Sequence, residues 1–213
     1  MLSVESKKNR LAAVESLMQF IECAIHAFIL SRCIYPRTTF GCHMRFGIAV
    51  WLCDVKAVKL YVKQICLSLQ NALFHDRVKA VTVVSPSERF TIELPTDFAK
   101  SILLTIPEGS MRTELEIKSI CARILRDTLI HVDRKLGKGG DEPMTTQGES
   151  WEVIADIKKS EGHGTETVDM PSGWIVDSGS PDAAIHRRPI KSALLGDKVL
   201  VSTYTDIVTQ KIG

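Results

Sequence analysis

The chain lacks a charge bias, a long uncharged run and paired cysteines, and each shortage removes a class of protein. It has 27 basic against 25 acidic side chains, a net +2, too little for the footprint of a dedicated nucleic-acid binder. The longest stretch without Asp, Glu, Lys or Arg runs only from Gln64 to His75. A bilayer span needs roughly 20 apolar residues, so neither a membrane segment nor a membrane partner is expected. None of the six cysteines (Cys23, Cys33, Cys42, Cys53, Cys66, Cys121) forms a Cys-x-x-Cys pair. Several lie in apolar stretches, where a free thiol behaves as a small hydrophobe, and a reducing compartment is the expectation. The only asparagines, Asn9 and Asn71, form no glycosylation sequon. Catalytic signatures are missing as well: there is no Gly-x-Ser-x-Gly elbow and no His-Glu-x-x-His. Gly137-Lys138-Gly139-Gly140 lacks the Walker spacing and reads as a turn.

What remains is an ordinary globular balance. The 213 residues are 45% hydrophobic and 24% charged, enough for a real core. Residues 1–12 are polar and read as a flexible N-terminus. Val14, Leu17, Met18, Ile21, Ile25 and Phe28 recur at helical spacing, and Tyr35-Pro36 ends that helix near Cys33. Glu15, Gln19 and Glu22 interrupt the stretch, which favours a helix over a signal peptide. Ile48 to Cys53 is strand-like. Asp54 is the expected N-cap of a second helix over 55–74, with a stripe at Val55, Val58, Val62, Ile65, Leu69 and Leu73. Val78–Val84 and Arg89–Leu94, separated by Ser85-Pro86-Ser87-Glu88, read as a hairpin. Ser101–Ile106 is a weaker strand, and 111–131 is a third helix through Leu115, Ile120, Ile124 and Leu125.

Further on the texture changes. Residues 137–173 hold seven of the thirteen glycines and carry a net charge of −5. One strand, Trp151–Ile157, is embedded there; Trp151 reads as core. The basic segment Arg187 to Lys191 reads as a solvated turn before a last strand, Val199–Ile207. The expected architecture is α+β, three helices on a mixed or antiparallel sheet. A cryptic thiol or metal enzyme would draw on Cys23 with His26 or Cys42 with His43, but zinc needs four converging ligands and no second pair has ligand spacing. No cofactor, metal or catalytic residue is assigned.

An ordered series of segments resembles one family. Phe20–Pro36 (FIECAIHAFILSRCIYP) is similar to the first helix of HORMA-domain proteins, which ends in Tyr-Pro. Glu22 and His26 within it resemble the HORMA accessory subunit of translesion DNA polymerase zeta. The likeness continues through 46–65, the hairpin 78–94 and the strand at 151–157. Gly173 to Asp177, then 188–196 and 199–207, resemble that family's C-terminal safety belt. The spindle-checkpoint HORMA protein is the runner-up, sharing Ile-Tyr-Pro and the Thr39-Phe40 pair.

The resemblance implies a HORMA fold with a mobile safety belt: a flexible 1–12, a core over 13–158 and a belt over 159–213. It implies a nuclear, non-catalytic adaptor that clasps a proline-containing extended peptide of the polymerase zeta catalytic subunit. That adaptor would bridge the subunit to the C-terminal domain of the translesion deoxycytidyl transferase. A meiotic or checkpoint HORMA adaptor is the alternative. An AAA+ remodelling ATPase and a homodimer are further implied partners. By the same resemblance the peptide pocket comprises Tyr35, Tyr61, Trp174, Ile175 and Val176. The second partner surface comprises Arg187, Arg188, Ser202 and Tyr204. Self-association falls on Cys121 with Arg123 close by, where the family carries an arginine.

Overall fold

One helix organises the molecule. In a computed structural model, which describes residues 4–86, 88–94, 96–104, 113–137, 150–158, 184–195 and 198–209, helix α1 spans Val4–Ser31. It packs against every other described helix. Its row Phe20, Ile21, Ala24, Ile25, Phe28 and Ile29 is wholly buried. By length and hydropathy α1 would suffice to cross a membrane, contrary to the expectation from uncharged runs, but most of that apolar stretch is buried inside the domain. The expectation of a loose 1–12 also gives way, since residues 4–12 continue the helix. Arg10 holds them there: its guanidinium donates to the Phe74 carbonyl and, at 3.0 Å, to Asp97.

After a single 3-10 turn, Arg37–Thr39, strands β1 (Phe40–Arg45) and β2 (Ile48–Cys53) form an antiparallel hairpin. Sequence reading gave β2 and missed β1. Helix α2 (Lys56–Phe74) buries Val58, Val62, Ile65, Leu69 and Leu73, the stripe expected of it. Asp54 is not its cap: Val55 stands there without a side-chain cap bond, while Asp54 faces Lys59 at 2.7 Å and His43 at 3.6 Å.

Strands β3 (Val78–Val84) and β4 (Glu88–Glu93) form the expected hairpin. Residues 98–104 are helix α3 (Phe98–Leu104), where a strand beginning at Ser101 was expected; Asp97 accepts the Lys100 N–H at its start. Helix α4 (Glu114–Gly137) opens on a reciprocal cap in which Glu116 N–H donates to the Thr113 hydroxyl and Thr113 N–H to Glu116. The described helices therefore number four, not three. Strand β5 (Glu152–Ile157) follows, then β6 (Ala184–Leu195) and β7 (Lys198–Thr209).

The main sheet has the order β5-β3-β4-β7-β6 with every pairing antiparallel. The helices lie on the face that carries Phe90, whose ring stacks on Phe28 at 5.8 Å between centroids. By the ladder register Val81, Val83, Ile92, Val201 and Thr203 share that face, and all are buried. Arg32, just past α1, ties three elements. It pairs with Glu88 of β4, donates to the Leu136 carbonyl of α4 at 3.2 Å, and lies 5.7 Å from the centre of the Phe28 ring.

His26 supplies a second long-range tie. It is 1% exposed, and its Nδ1 accepts the Cys53 backbone N–H at 3.2 Å, which requires the neutral ring. Burial first, then Lys59 and His43, depress its pKa to about 4 from 6.5. The unfolded chain takes up the proton near pH 6.5 and the folded one only near 4, so stability is intact above 6.5 and falls through that window. The expected loss between pH 7 and 5 is about 2 kcal/mol. Urea unfolding at both pH values measures it, and His26→Gln should remove that part of the dependence.

Candidate strand-accepting edge

The two edges of the main sheet are built differently. At β6 the chain places Pro189, which has no N–H to offer, and an irregularity between Pro189 and Lys191, with Arg188 exposed beside it. Proline, bulges and charge are the usual means of keeping another strand off an edge. The basic stretch 187–191, read from sequence as a turn, is this guarded strand.

β5, at the other edge, contains no proline. Successive residues of a strand point their amides to opposite edges. The Lys158 N–H donates inward to the Arg77 carbonyl at 2.7 Å, so Asp156, Ile154 and Glu152 also pair inward. The amides of Val153, Ala155 and Ile157 are left at the outer edge, where no described strand pairs. Val153, Ile154, Ala155 and Ile157 are half-buried. Lys158 fixes its far end through the Asp76 carbonyl and carboxylate, at 3.1 and 3.5 Å.

An aromatic set stands at the near end of this edge. The Trp151 indole N–H donates to the Tyr35 hydroxyl at 3.2 Å. The Tyr61 and Trp151 rings meet edge to face, 5.3 Å apart and inclined at 74°. Burial and then Glu152 raise the Tyr61 hydroxyl pKa, opposed by a hydrogen bond with the Val153 backbone. No described strand uses the amides of Ala155 and Ile157. Tyr35 and Tyr61, named from sequence 26 positions apart, come together; Trp151, read as core, is half-buried and packs on the core, but it is also the residue that joins them.

The other expected residues distribute as follows. Trp174, Ile175 and Val176 lie outside the described residues. Of the second surface, Arg187 is placed in β6 by its backbone alone and Arg188 is exposed. Ser202 is half-buried and bonded to Ser192 at 3.0 Å. Tyr204 is 8% exposed, beside Thr91 in the ladder. Cys121 lies in the buried row of α4, its thiol pushed up to about 12 by burial, so of the self-association pair only Arg123 is on the surface.

The thiol and metal candidates do not converge. Burial pushes Cys23 and Cys66 up to about 12, so both thiols are protonated at neutral pH and poor nucleophiles. Cys42 and His43 are consecutive in β1 and point to opposite faces. Among the described residues no group of three or more His, Cys, Asp or Glu could hold a metal.

This arrangement, with helices on one face of an antiparallel sheet and a C-terminal hairpin completing it on the β4 side, is the HORMA fold. A chain in the crystal structure of the mitotic checkpoint complex is similar at a TM-score of 0.63 and 12% identity, over 92% of this chain and 99% of that one. Caenorhabditis elegans HTP-2 bound to the HIM-3 closure motif is similar at 0.53 and 11% identity, over 89% of this chain and 87% of that one. HTP-2 bound to HTP-3 closure motif 1 is similar at 0.56 and 13%, over 90% and 84%. No protein-family model and no curated protein matches the sequence.

Proposed function

We propose that the chain is a non-catalytic adaptor that takes an extended segment of a partner protein as an added strand on β5. The observation that carries this reading is the asymmetry of the sheet: one edge guarded by Pro189 and charge, the other presenting the Ala155 and Ile157 amides beside an aromatic set. Main-chain hydrogen bonds of an added strand supply affinity, and side-chain pockets supply selectivity. Tyr35, Tyr61 and Trp151 wall one such pocket; Trp174, Ile175 and Val176, from the belt region 159–213, are assigned to its cover by the family resemblance. That HTP-2, of similar fold, binds closure motifs supports a role in binding partner segments.

Two client classes follow. Glu22, His26 and the segments at 151–157 and 188–196 support the catalytic subunit of polymerase zeta, with a nuclear address and a bridge through Arg188 to the translesion transferase. The likeness to the mitotic checkpoint complex and HTP-2 supports a checkpoint or meiotic client. Titrating the full chain with peptides of each class, and following amide hydrogen exchange, separates them. The cognate peptide should slow exchange at Ala155 and Ile157. Binding that leaves both amides unchanged would reject the β5 edge as the site.

A further inference from the structure

A cavity of about 100 Å³ opens between the β1–β2 hairpin, α1 and α4, on a different part of the molecule from the outer edge of β5. Its floor is apolar and buried, formed by Cys23, Ala27, Val50 and Leu129. Its rim is exposed: Trp51 is 48% and Ile130 41% accessible, and Asp133 is exposed beside them. No hydrogen bond or ion pair with another described residue engages the Asp133 carboxylate, and burial raises its pKa. The Cys23 thiol beneath is protonated and uncharged at neutral pH, and the charges felt there, Glu22 and Arg45, act in opposite directions.

Size and charge together select the guest. An apolar cavity that takes benzene measures about 150 Å³, so this one admits a slender stem and not a ring. An anion would meet Asp133, and a purely apolar group would draw nothing from that carboxylate. A cation on a methylene stem satisfies every wall. The stem lies on apolar surface while the head stays at the rim, the Trp51 ring attracts the cation, and the carboxylate receives a charge-assisted hydrogen bond. Guanidinium answers best, because its planar fork can meet both carboxylate oxygens while stacking on an indole. We propose that the pocket formed by Trp51, Ile130 and Asp133 receives an arginine side chain of a protein partner.

The test titrates the full-length chain with N-acetyl-arginine methylamide and follows the Trp51 indole N–H and the Leu129 and Ile130 methyl resonances. The citrulline analogue, equal in shape and uncharged, is the control. Saturable shifts with arginine, at least about tenfold weaker with citrulline, are expected. Asp133→Asn should lose binding to the same degree, and Trp51→Leu should weaken it, both with melting temperature and amide spectrum preserved. Equal binding of citrulline, undiminished binding by Asp133→Asn, or shifts that never saturate would each overturn the proposal. Tighter binding of the lysine analogue would overturn the choice of arginine.

Discussion

Ala155→Pro should cost the protein its guest and little of its stability. The Ala155 amide points to the outer edge of β5, and no described strand uses it. Proline there removes a donor that an incoming strand needs and places a ring where that strand must lie. Affinity for the cognate peptide is expected to fall by about 100-fold or more, equivalent to roughly 2.7 kcal/mol, with the melting temperature within about 3 °C of the parent. Ile154→Pro, one residue away, should behave in the opposite sense. Its amide pairs inward with β3 opposite Thr82, so the loss falls on the fold. Calorimetric titration of Ala155→Pro and thermal melts of both variants check the pair. Undiminished binding by Ala155→Pro would move the site off β5.

Arg32→Met is expected to be among the most destabilising substitutions in the chain. Arg32 and Glu88 have side chains only 18% and 12% exposed, so removing the guanidinium strands a nearly buried carboxylate and an α4 carbonyl. Breaking such a pair from one side costs about 3–5 kcal/mol. For a chain of this size that lowers the melting temperature by about 10 °C. Adding Glu88→Leu should recover part of the loss, because a pair replaced on both sides leaves no lone charge behind. A double variant no more stable than Arg32→Met would mean that the carbonyl and ring contacts, not the ion pair, dominate.

Much of the architecture was legible because it is locally encoded. The α2 stripe from Val58 to Leu73 and the β3–β4 hairpin announce their periods directly. The failures share a cause, which is that distant partners decide. Residues 4–12 look polar and loose until Arg10 is seen to reach Phe74 and Asp97. The apolar row of α4 was read as Leu115, Ile120, Ile124 and Leu125. Leu115 is instead 80% exposed, and the buried row is Ile117, Cys121, Leu125, Leu129, Val132 and Leu136. The Thr113-to-Glu116 cap would have set that frame. Arg187 to Lys191 read as a turn because proline and charge mark turns, yet they are equally what defends a sheet's last strand. In the candidate site, Tyr35 and Tyr61 came from family resemblance alone. The part played by Trp151 is invisible without the hydrogen bond that joins it to Tyr35.

The greasy character of α1 has a consequence for biosynthesis. The helix leaves the ribosome before everything that shelters it, and α4 begins more than 80 residues after α1 ends. At about 5–20 residues per second, this stretch waits for several seconds in a form that chaperones and membrane-insertion machinery alike would recognise. Variants that thin its apolar surface should therefore ease yield in the cell even where they weaken the finished protein.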